Sequence, residues 1–239
     1  MTILHGIRRL GQRLGVDVTR YPEANLEHQA NQLLAHHRVD VVLDVGANDG
    51  RYATGLRRSG YRGRIVSFEP LGEPFRRLRA NSAKDQLWTV RPFAIGDIEG
   101  TVDIHVAGNA GASSSVLQML SRHADAAPDS RYVGIESVQQ RRLAVLWPDL
   151  VREAERVFLK VDVQGAEKNV LLGAGERISR CIGVQMEVTF SPLYEGGMLY
   201  REALDMLEGF GFSLMYVVPG FTDPRISRMY QCDVVCFRE

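Results

Sequence analysis

The chain has 239 residues, which is enough for one large α/β domain with its own core. Its 29 basic and 29 acidic residues cancel, so the overall charge favours neither nucleic acid nor an anionic membrane as a partner. The three cysteines, Cys181, Cys232 and Cys236, fit neither a disulfide framework nor a metal knuckle, which favours a reducing, cytoplasmic setting. No apolar run reaches the roughly 18–20 residues of a transmembrane segment, and arginines interrupt any signal-peptide core near the start.

Residues 1–38 are predicted to form an N-terminal helical extension in front of a domain spanning residues 39–239. The first helix is indicated by apolar residues at the spacing of one helix face, Leu4, Ile7, Leu10 and Leu14. Tyr21-Pro22 ends it, and a second helix follows over residues 25–37. We expect the first helix to pack on the main domain. A cover over the acceptor site and a contact between copies in a homo-oligomer are the alternatives.

An apolar, β-branched run that ends in a glycine turn, Val39–Gly50, is typical of a strand buried on both faces. Residues 51–58 can then form a helix, and strand, glycine turn and helix together place a ligand over the helix N-terminus. A dinucleotide site needs Gly-x-Gly-x-x-Gly, and here Asn48 replaces a glycine. Asp44 and Asp49 add negative charge, which suits the cationic S-adenosylmethionine (SAM) better than a diphosphate. An ordinary glycine-rich turn is the alternative.

A second apolar strand is predicted over Ile65–Phe68, and Glu69-Pro70 follows at its end. An acid at this place, roughly 20 residues past the glycine turn, is positioned to accept hydrogen bonds from ribose hydroxyls. A solvated strand end is the alternative for Glu69, and Pro70 ends the strand. The next helix is predicted over residues 72–82.

The middle of the chain is predicted to hold strands over 86–95 and 101–106, joined by a polar turn at 96–100. Asp97 in this turn could accept from an adenine amine, and a plain hairpin turn is the alternative. Residues 136–146 are predicted to form an edge strand that Trp147-Pro148 ends, and 149–156 a short helix.

The loops at 108–135 and 189–198 are expected to set the specificity for the acceptor. His105 and His123 are predicted to lie at the surface, although either could act as a base. Tyr194 and Glu195 either touch the acceptor or close their loop.

Two further strands each end in a carboxylate, because Asp162 follows the apolar run 157–161 and Glu187 lies at the end of 181–188. A helix beginning at Gly165 separates these strands. The closing elements are a helix over 199–210 and an antiparallel pair of strands over 212–218 and 233–237. This alternation of strands and helices predicts a mostly parallel sheet covered on both faces.

Three blocks of the sequence resemble the FkbM family of SAM-dependent methyltransferases: Asp44–Gly50, Ser67–Pro70 and Leu159–Glu167. The last block is the most specific, since the family usually has Leu-Lys-Ile-Asp-Val-Glu-Gly-x-Glu there. The resemblance spans roughly residues 39–238. It implies a class I methyltransferase, Rossmann-like α/β fold with a mostly parallel seven-stranded sheet. It also implies O-methylation of a hydroxyl on a sugar, glycolipid, polyketide or other small natural product.

The resemblance also implies roles for individual residues. Gly46 and Asn48 would lie along the methionine part of SAM, Glu69 on the ribose and Asp97 near the adenine. The full predicted cofactor set is Asp44, Gly46, Ala47, Asn48, Gly50, Glu69, Pro70, Asp97 and Asp162. Gln164 departs from the family, which usually has Glu, and this weakens a role for that position as base or metal ligand.

Methyl transfer to a hydroxyl needs a group that takes the proton or binds the oxygen. The predicted catalytic residues are Asp162, Glu187 and Gln164. In one route Asp162 or Glu187 is the general base, and in the other both carboxylates bind Mg²⁺, with Gln164 nearby, and the metal lowers the hydroxyl pKa. The structural alternative is that Lys160 pairs with an acid and Asp162 caps the following helix.

The sequence leaves two other functions open. A nicotinamide-linked dehydrogenase would use the same kind of sheet, but the glycine pattern argues against it. A non-catalytic SAM-fold module, regulatory or scaffolding, would keep Gly46 and Glu69 and lack a productive acceptor site. The absence of a basic stripe disfavours nucleic acid as the methyl acceptor.

Overall fold

The computed structural model describes residues 26–239, together with residues 7, 10, 11 and 13–16. Much of the predicted first helix therefore lies outside the described residues. Three of its apolar residues are described, and they are exposed instead of packing on the main domain: Ile7, Leu10 and Leu14. Among the described helices, none combines the length and the apolar character needed to cross a bilayer.

Helices and strands alternate along residues 26–239. The helices are α1 (Leu26–His36), α2 (Arg51–Arg58), α3 (Gly72–Ser82), α4 (Ser121–Ala126), α5 (Leu143–Leu150), α6 (Glu167–Ala174) and α7 (Tyr200–Gly209). The strands are β1 (Val41–Val45), β2 (Arg64–Phe68), β3 (Trp88–Arg91), β4 (Ala94–Ile95), β5 (Gly100–Ala107), β6 (Tyr132–Arg141), β7 (Val157–Val161), β8 (Cys181–Thr189), β9 (Ser213–Pro219), β10 (Thr222–Asp223), β11 (Arg228–Met229) and β12 (Gln231–Phe237).

The main sheet has seven strands in the order β3-β2-β1-β7-β8-β12-β9. Neighbouring strands are parallel, except that β12 runs antiparallel to both β8 and β9. The mostly parallel α/β sheet predicted from the sequence is confirmed. Its strands β1 and β7 are buried along their whole length, which explains their continuous apolar runs.

Alternate residues of β1 face two separate cores. Val41, Leu43 and Val45 pack in one core with residues of α5, α6 and α7, whereas Val42 packs in the other with residues of α1, α2 and α3. Helices therefore cover both faces of the sheet. Because α1 shares a core with β1, it is packed on the main sheet, and the boundary at residue 38 stays a prediction.

A second, three-stranded sheet has the order β4-β6-β5. The predicted strand 86–95 is wrong as a single element, because Pro92 lacks an N–H and the chain divides there into β3 and β4. β4 pairs parallel with β6, and β5 pairs antiparallel with the same strand. The turn at 96–100 is therefore not a plain hairpin turn between neighbouring strands.

The predicted strand 136–146 is confirmed only over 136–141, and the predicted helix 149–156 has the wrong bounds. β6 starts earlier and ends at Arg141, and α5 includes Pro148. Four residues of α5 recur at helical spacing and are buried: Leu143, Leu146, Trp147 and Leu150. Their burial in the core outweighs the cost of one proline near the helix end, where few backbone hydrogen bonds are lost.

Candidate active site

The carboxyl ends of β1, β2 and β7 open into a cavity of about 430 Å³. This volume is within the range of pockets that hold cofactors and other small molecules. Its walls come from the glycine turn after β1, from the second sheet and from the loop at residues 109–116. Seven of the predicted cofactor residues line it: Gly46, Ala47, Asn48, Glu69, Pro70, Asp97 and Asp162.

The turn after β1 brings its backbone against the loop after β7. Gly46 has a φ of 77°, and a Cβ there would lie 1.8 Å from the backbone oxygen of Asp162, so a side chain does not fit. Asn48 has a φ of 47°, a left-handed conformation that asparagine tolerates better than most residues. Its Oδ1 also accepts the N–H of Asp49 at 2.7 Å. These features explain why an asparagine can stand where dinucleotide sites have a glycine.

Glu69 is held at the end of β2 by two backbone donors. Its Oε2 accepts the N–H of Asn48 at 2.8 Å, and its Oε1 accepts the N–H of Leu71 at 2.9 Å. The residue is 5% exposed, and burial raises the pKa of Glu69 to about 7 against the effect of these two hydrogen bonds. Each oxygen retains a lone pair for a further donor, so the carboxylate can bind two adjacent hydroxyls in the cavity.

Two residues predicted to contact the cofactor lie behind the cavity wall. A Cβ on Gly50 would come within 2.9 Å of the Trp88 ring, so this glycine serves packing. Asp44 is fully buried and accepts a hydrogen bond from Ser67 Oγ at 2.8 Å. Burial raises the pKa of Asp44, against the effects of Lys160 and Ser67. The acid of β1 is therefore part of the support beneath the site.

Lys160 connects this buried acid to the cavity. Its Nζ lies 3.5 Å from Asp44 Oδ1 and 3.4 Å from Asp162 Oδ2, and it donates to the Gly46 backbone oxygen at 3.1 Å. Burial by itself lowers the pKa of Lys160, but the charges of Asp162 and Asp44 outweigh it and raise that pKa. Lys160 is thus a fixed cation. It pairs with acids as the structural alternative expected, whereas no side chain caps α6, so the capping role of Asp162 is wrong.

Asp97 lies on the cavity wall with a partner that the sequence did not reveal. Asn169 of α6 also lines the cavity, and its Nδ2 donates to Asp97 Oδ1 at 3.0 Å. Asp97 lies in the turn between β4 and β5, whereas Asn169 lies in α6, so no local pattern in the sequence could have paired them. Together they present a carboxylate, which accepts hydrogen bonds, beside an amide group.

The three predicted catalytic residues meet in one hydrogen-bonded group. Gln164 Nε2 donates to Asp162 Oδ1 at 2.8 Å and to Glu187 Oε2 at 2.8 Å. Asp162 and Gln164 line the cavity, whereas Glu187 is not part of its wall. Asp162 is consequently the predicted catalytic acid that a ligand in the cavity can reach.

This arrangement does not provide the predicted magnesium site. The amide nitrogen of Gln164 occupies the space between Asp162 and Glu187, and its N–H groups point at the oxygens that would bind the cation. No group of three or more histidine, cysteine or acidic side chains among the described residues could hold a metal ion. This arrangement therefore does not support the Mg²⁺ interpretation of these two carboxylates, and their metal role stays a prediction.

Glu187 is a poorer candidate for the base than Asp162, because it does not line the cavity. Its Oε2 accepts a second amide N–H, from Gln231 Nε2 at 2.6 Å. Burial, followed by the negative charges of Asp162 and Glu167, raises the pKa of Glu187 well above its usual range. Asp162, which a ligand in the cavity can reach, is therefore the candidate base.

A loop from the second sheet lines part of the cavity and is hydrogen-bonded to α3, to the turn after β1 and to the loop after β7. Arg77 Nη2 and Asn48 Nδ2 donate to the Ala110 backbone oxygen at 3.0 and 3.3 Å. Ser115 Oγ donates to the Gln164 backbone oxygen at 2.7 Å. The sequence assigned this loop to acceptor specificity, but it could not reveal these long-range contacts.

Tyr194 and His123 are buried, which contradicts the surface position predicted for His123 and removes Tyr194 from contact with an acceptor. They are 2% and 3% exposed, with ring centroids 5.2 Å apart in an edge-to-face arrangement. Burial lowers the pKa of His123 to about 4, so the ring is neutral at physiological pH. His105 stacks on Tyr132 at 4.9 Å, and Glu195 is exposed.

Residues 44–214 match the family model described as the methyltransferase FkbM domain. The chain belongs to the FkbM methyltransferase family. The match includes the glycine turn, Glu69, Asp97 and the block around Asp162 and Gln164. The family resemblance seen in the sequence is therefore confirmed.

Two curated proteins and one solved structure are similar to this FkbM family member. It is 29% identical over 200 residues to 2-O-methyltransferase NoeI of Sinorhizobium fredii, covering 80% of this chain and 81% of NoeI. It is 29% identical over 161 residues to AMB antimetabolite synthetase AmbE of Pseudomonas aeruginosa, covering 56% of this chain and 8% of AmbE. The structure of a "putative O-methyltransferase" from Klebsiella pneumoniae matches with a TM-score of 0.50 and 10% identity, covering 100% of this chain and 91% of that one, which supports the class I methyltransferase fold.

Proposed function

We propose that this protein is a SAM-dependent O-methyltransferase that acts on a hydroxyl of a sugar, glycolipid or other small natural product. The observation that carries the proposal is that one cavity joins Glu69, which suits a ribose, to Asp162, which suits an acceptor proton. A cofactor site and a candidate base thus share one enclosed space, as a transferase requires.

The residues present fit SAM. Glu69 would accept the two ribose hydroxyls, and Asp97 with Asn169 would face the adenine amine. Gly46 lets the turn after β1 approach the loop after β7 closely, beside the part of the cavity where the methionine part would lie. The cavity wall carries more acidic than basic groups, with Asp49, Glu69, Asp97 and Asp162 against Arg51 and Lys160, and this balance suits a cationic ligand.

When bound, SAM supplies a methyl group already activated by its sulfonium charge. The protein must then align the acceptor oxygen and receive its proton as the O–CH₃ bond forms. Asp162 is the proposed proton acceptor. Lys160 Nζ lies 3.4 Å from Asp162 Oδ2 and places a positive charge beside the proposed proton acceptor.

The acceptor class rests on the similarity to NoeI, a 2-O-methyltransferase, over most of both chains. The loop at residues 109–116 offers amide and hydroxyl groups to the same cavity, among them Asn109 and Ser114. Groups of this kind recognise hydroxylated molecules.

The three buried thiols, Cys181, Cys232 and Cys236, are unpaired in the structure, and we propose a reducing, cytoplasmic location for the enzyme.

Incubation of the purified protein with methyl-labelled SAM and a panel of glycosides, glycolipids and polyketide alcohols tests the proposal. Asp162→Asn is expected to lose about 10²–10⁴-fold in kcat, the usual contribution of a general base, with a smaller loss of SAM affinity because one acid of the cavity wall is neutralised. Asp205→Asn, on the exposed surface of α7, is the matched control and should retain full activity.

Three outcomes contradict the proposal in different ways. Binding of a nicotinamide cofactor instead of SAM would favour the dehydrogenase. SAM binding without transfer to any acceptor of the panel would favour the non-catalytic regulatory or scaffolding module. Full activity of Asp162→Asn would show that another group takes the proton.

A further inference from the structure

Gln164 fills the space between the two strand-end carboxyls. Both N–H groups of its amide are used, because Nε2 lies 2.8 Å from Asp162 Oδ1 and 2.8 Å from Glu187 Oε2. Its Oε1 accepts the hydroxyl of Tyr194 at 2.8 Å. If the amide were turned over, its oxygen would face the Oδ1 acceptor of Asp162 and the hydrogen bond between them would be lost. The three partners therefore select one orientation of the amide.

The backbone of Gln164 is also fixed, in a conformation that non-glycine residues rarely adopt. Its φ is 56°, and its carbonyl oxygen accepts Ser115 Oγ at 2.7 Å. Glu167 Oε1 accepts the N–H groups on either side, from Val163 and Gly165, each at 3.1 Å. Backbone strain of this kind persists where surrounding contacts hold it, and it is concentrated at functional sites.

Tyr194 is itself held firmly enough to orient the amide. Its side chain is 2% exposed, and a Cβ on Gly165 would lie 3.0 Å from the Tyr194 ring. The ring therefore packs directly on the backbone next to Gln164. Its hydroxyl has a second acceptor within reach, the Ser113 backbone oxygen at 3.1 Å, and the shorter distance favours the amide.

We propose that Gln164 is a positioning residue whose amide, oriented by Tyr194, holds the carboxylate of Asp162 at the cavity wall and separates it from Glu187. This inference rests on the proposed function, since it states how the side chain of the candidate base is positioned. The backbone N–H of Asp162 donates to the Val45 oxygen at 3.1 Å. Together with Gln164 and Lys160, this contact fixes both ends of the aspartate.

The charges around Asp162 and Glu187 in this chain favour an amide over a third carboxylate between the two acids. Besides Asp162 and Glu187, the acidic and basic groups whose charges act on this pair are Lys160, Glu167, Asp233 and Asp44. Acids outnumber the single lysine, so a further carboxylate at position 164 would add repulsion and supply at most one donor. Glutamine supplies two donors without charge.

The orientation of the amide can be observed directly in protein labelled with ¹⁵N-glutamine. The matched reference is Gln139, which is exposed and donates to Thr101 Oγ1 at 2.9 Å. We expect the side-chain N–H groups of Gln164 to exchange with D₂O at least about tenfold more slowly than those of Gln139. In Tyr194→Phe, the side-chain N–H groups of Gln164 should exchange about tenfold faster than they do in the wild type. Equal exchange of the two amides in the wild type, or unchanged protection in Tyr194→Phe, would overturn the proposal.

Steady-state kinetics distinguish positioning from cofactor binding. With methyl-labelled SAM and the acceptor that turns over, Gln164→Met and Tyr194→Phe should lower kcat about tenfold or more while KM for SAM changes by less than about threefold. Gln164→Glu keeps the side-chain shape and should also lose kcat, and Gln139→Met should change neither constant. An unchanged kcat, or a KM for SAM that rises as much as kcat falls, refutes the positioning role.

Thermal unfolding of each variant identifies any that fail to fold, and Tyr194→Phe, which removes one oxygen atom, is the variant least prone to this. Failure of the proposed function would give a different pattern, since a wild type that binds no SAM can still show the protected amide of Gln164. A protected Gln164 amide in the wild type, together with a normal kcat in both Tyr194→Phe and Gln164→Glu, would contradict this inference and leave the proposed function standing.

Discussion

Replacing Glu69 by glutamine gives the sharpest test of the cofactor site, because it changes one oxygen to an NH₂ and leaves the size of the side chain unchanged. Both carboxylate oxygens are already hydrogen-bonded, to the N–H groups of Asn48 and Leu71 at 2.8 and 2.9 Å. In the Glu69→Gln variant, one of these buried N–H groups faces another donor. The variant also loses the charged acceptor for one ribose hydroxyl.

The expected loss follows from the value of a hydrogen bond to a charged group. Such a bond contributes about 1.5–3 kcal/mol, which corresponds to a Kd for SAM that is about 10–150-fold weaker. The wild-type affinity should also depend on pH. Because burial raises the pKa of Glu69 to about 7, the carboxylate is mostly protonated at pH 6 and mostly ionised at pH 8, so affinity should rise over this interval.

Isothermal titration calorimetry with SAM at pH 6, 7 and 8 measures both effects. The amino group of SAM also titrates, and comparison of wild type with Glu69→Gln removes this shared contribution. Glu208→Gln, on the exposed surface of α7, is the matched control and should bind as the wild type does. Wild-type affinity in Glu69→Gln, with the same dependence on pH, would refute the assignment of Glu69 to the ribose.

Two predictions concern stability. In Gly46→Ala the new Cβ would meet the Asp162 backbone oxygen at 1.8 Å, so urea unfolding should show a free energy of unfolding lower by about 2–4 kcal/mol. The control Gly55→Ala lies in open space within α2 and should raise that free energy by about 0.5–1 kcal/mol. Equal effects of the two substitutions would contradict the close approach at Gly46. Because burial lowers the pKa of His123 to about 4, below that of the unfolded chain, the neutral ring stabilises the fold above about pH 6.5 and this stability is lost as the pH falls towards 4. On going from pH 7 to pH 4, the free energy of unfolding of His123→Phe should therefore rise by about 3 kcal/mol relative to that of the wild type. The same difference between variant and wild type at both pH values would show that His123 is not buried as a neutral ring.

The elements that the sequence predicted well are those whose pattern is set by burial alone. β1, β2 and β7 are continuous apolar runs because both faces of a central parallel strand are covered. The acids that follow two of these strands, Glu69 and Asp162, reach the cavity since the strands end there. Asp44 differs because it lies inside β1, so the alternation of side chains directs it to Ser67 and Lys160.

The parts that could not be predicted depend on contacts between distant segments. Pro148 suggested the end of a strand, but packing of its neighbours against the core made the segment helical. Nothing local in the sequence indicated the partners of Asn169 and Tyr194. Asn169 donates to Asp97, and Tyr194 donates to Gln164, and both partners are distant in the chain. Position 164 was recognised as a departure from the family, yet only the structure shows which two acids its amide separates.

The pairing of Gly100 with Gln140 in the second sheet has a practical consequence. These two residues are direct partners across β5 and β6, so the chain leaves and returns at nearly the same point. Residues 101–139 thus form a closed excursion that contributes the loop over the cavity but neither Asp97, Glu69 nor Asp162. Because its ends need not move, we expect such an excursion to be exchangeable as a cassette between family members. Under the proposed function, the exchange should change the acceptor preference and leave Glu69, Asp97 and Asp162 in place.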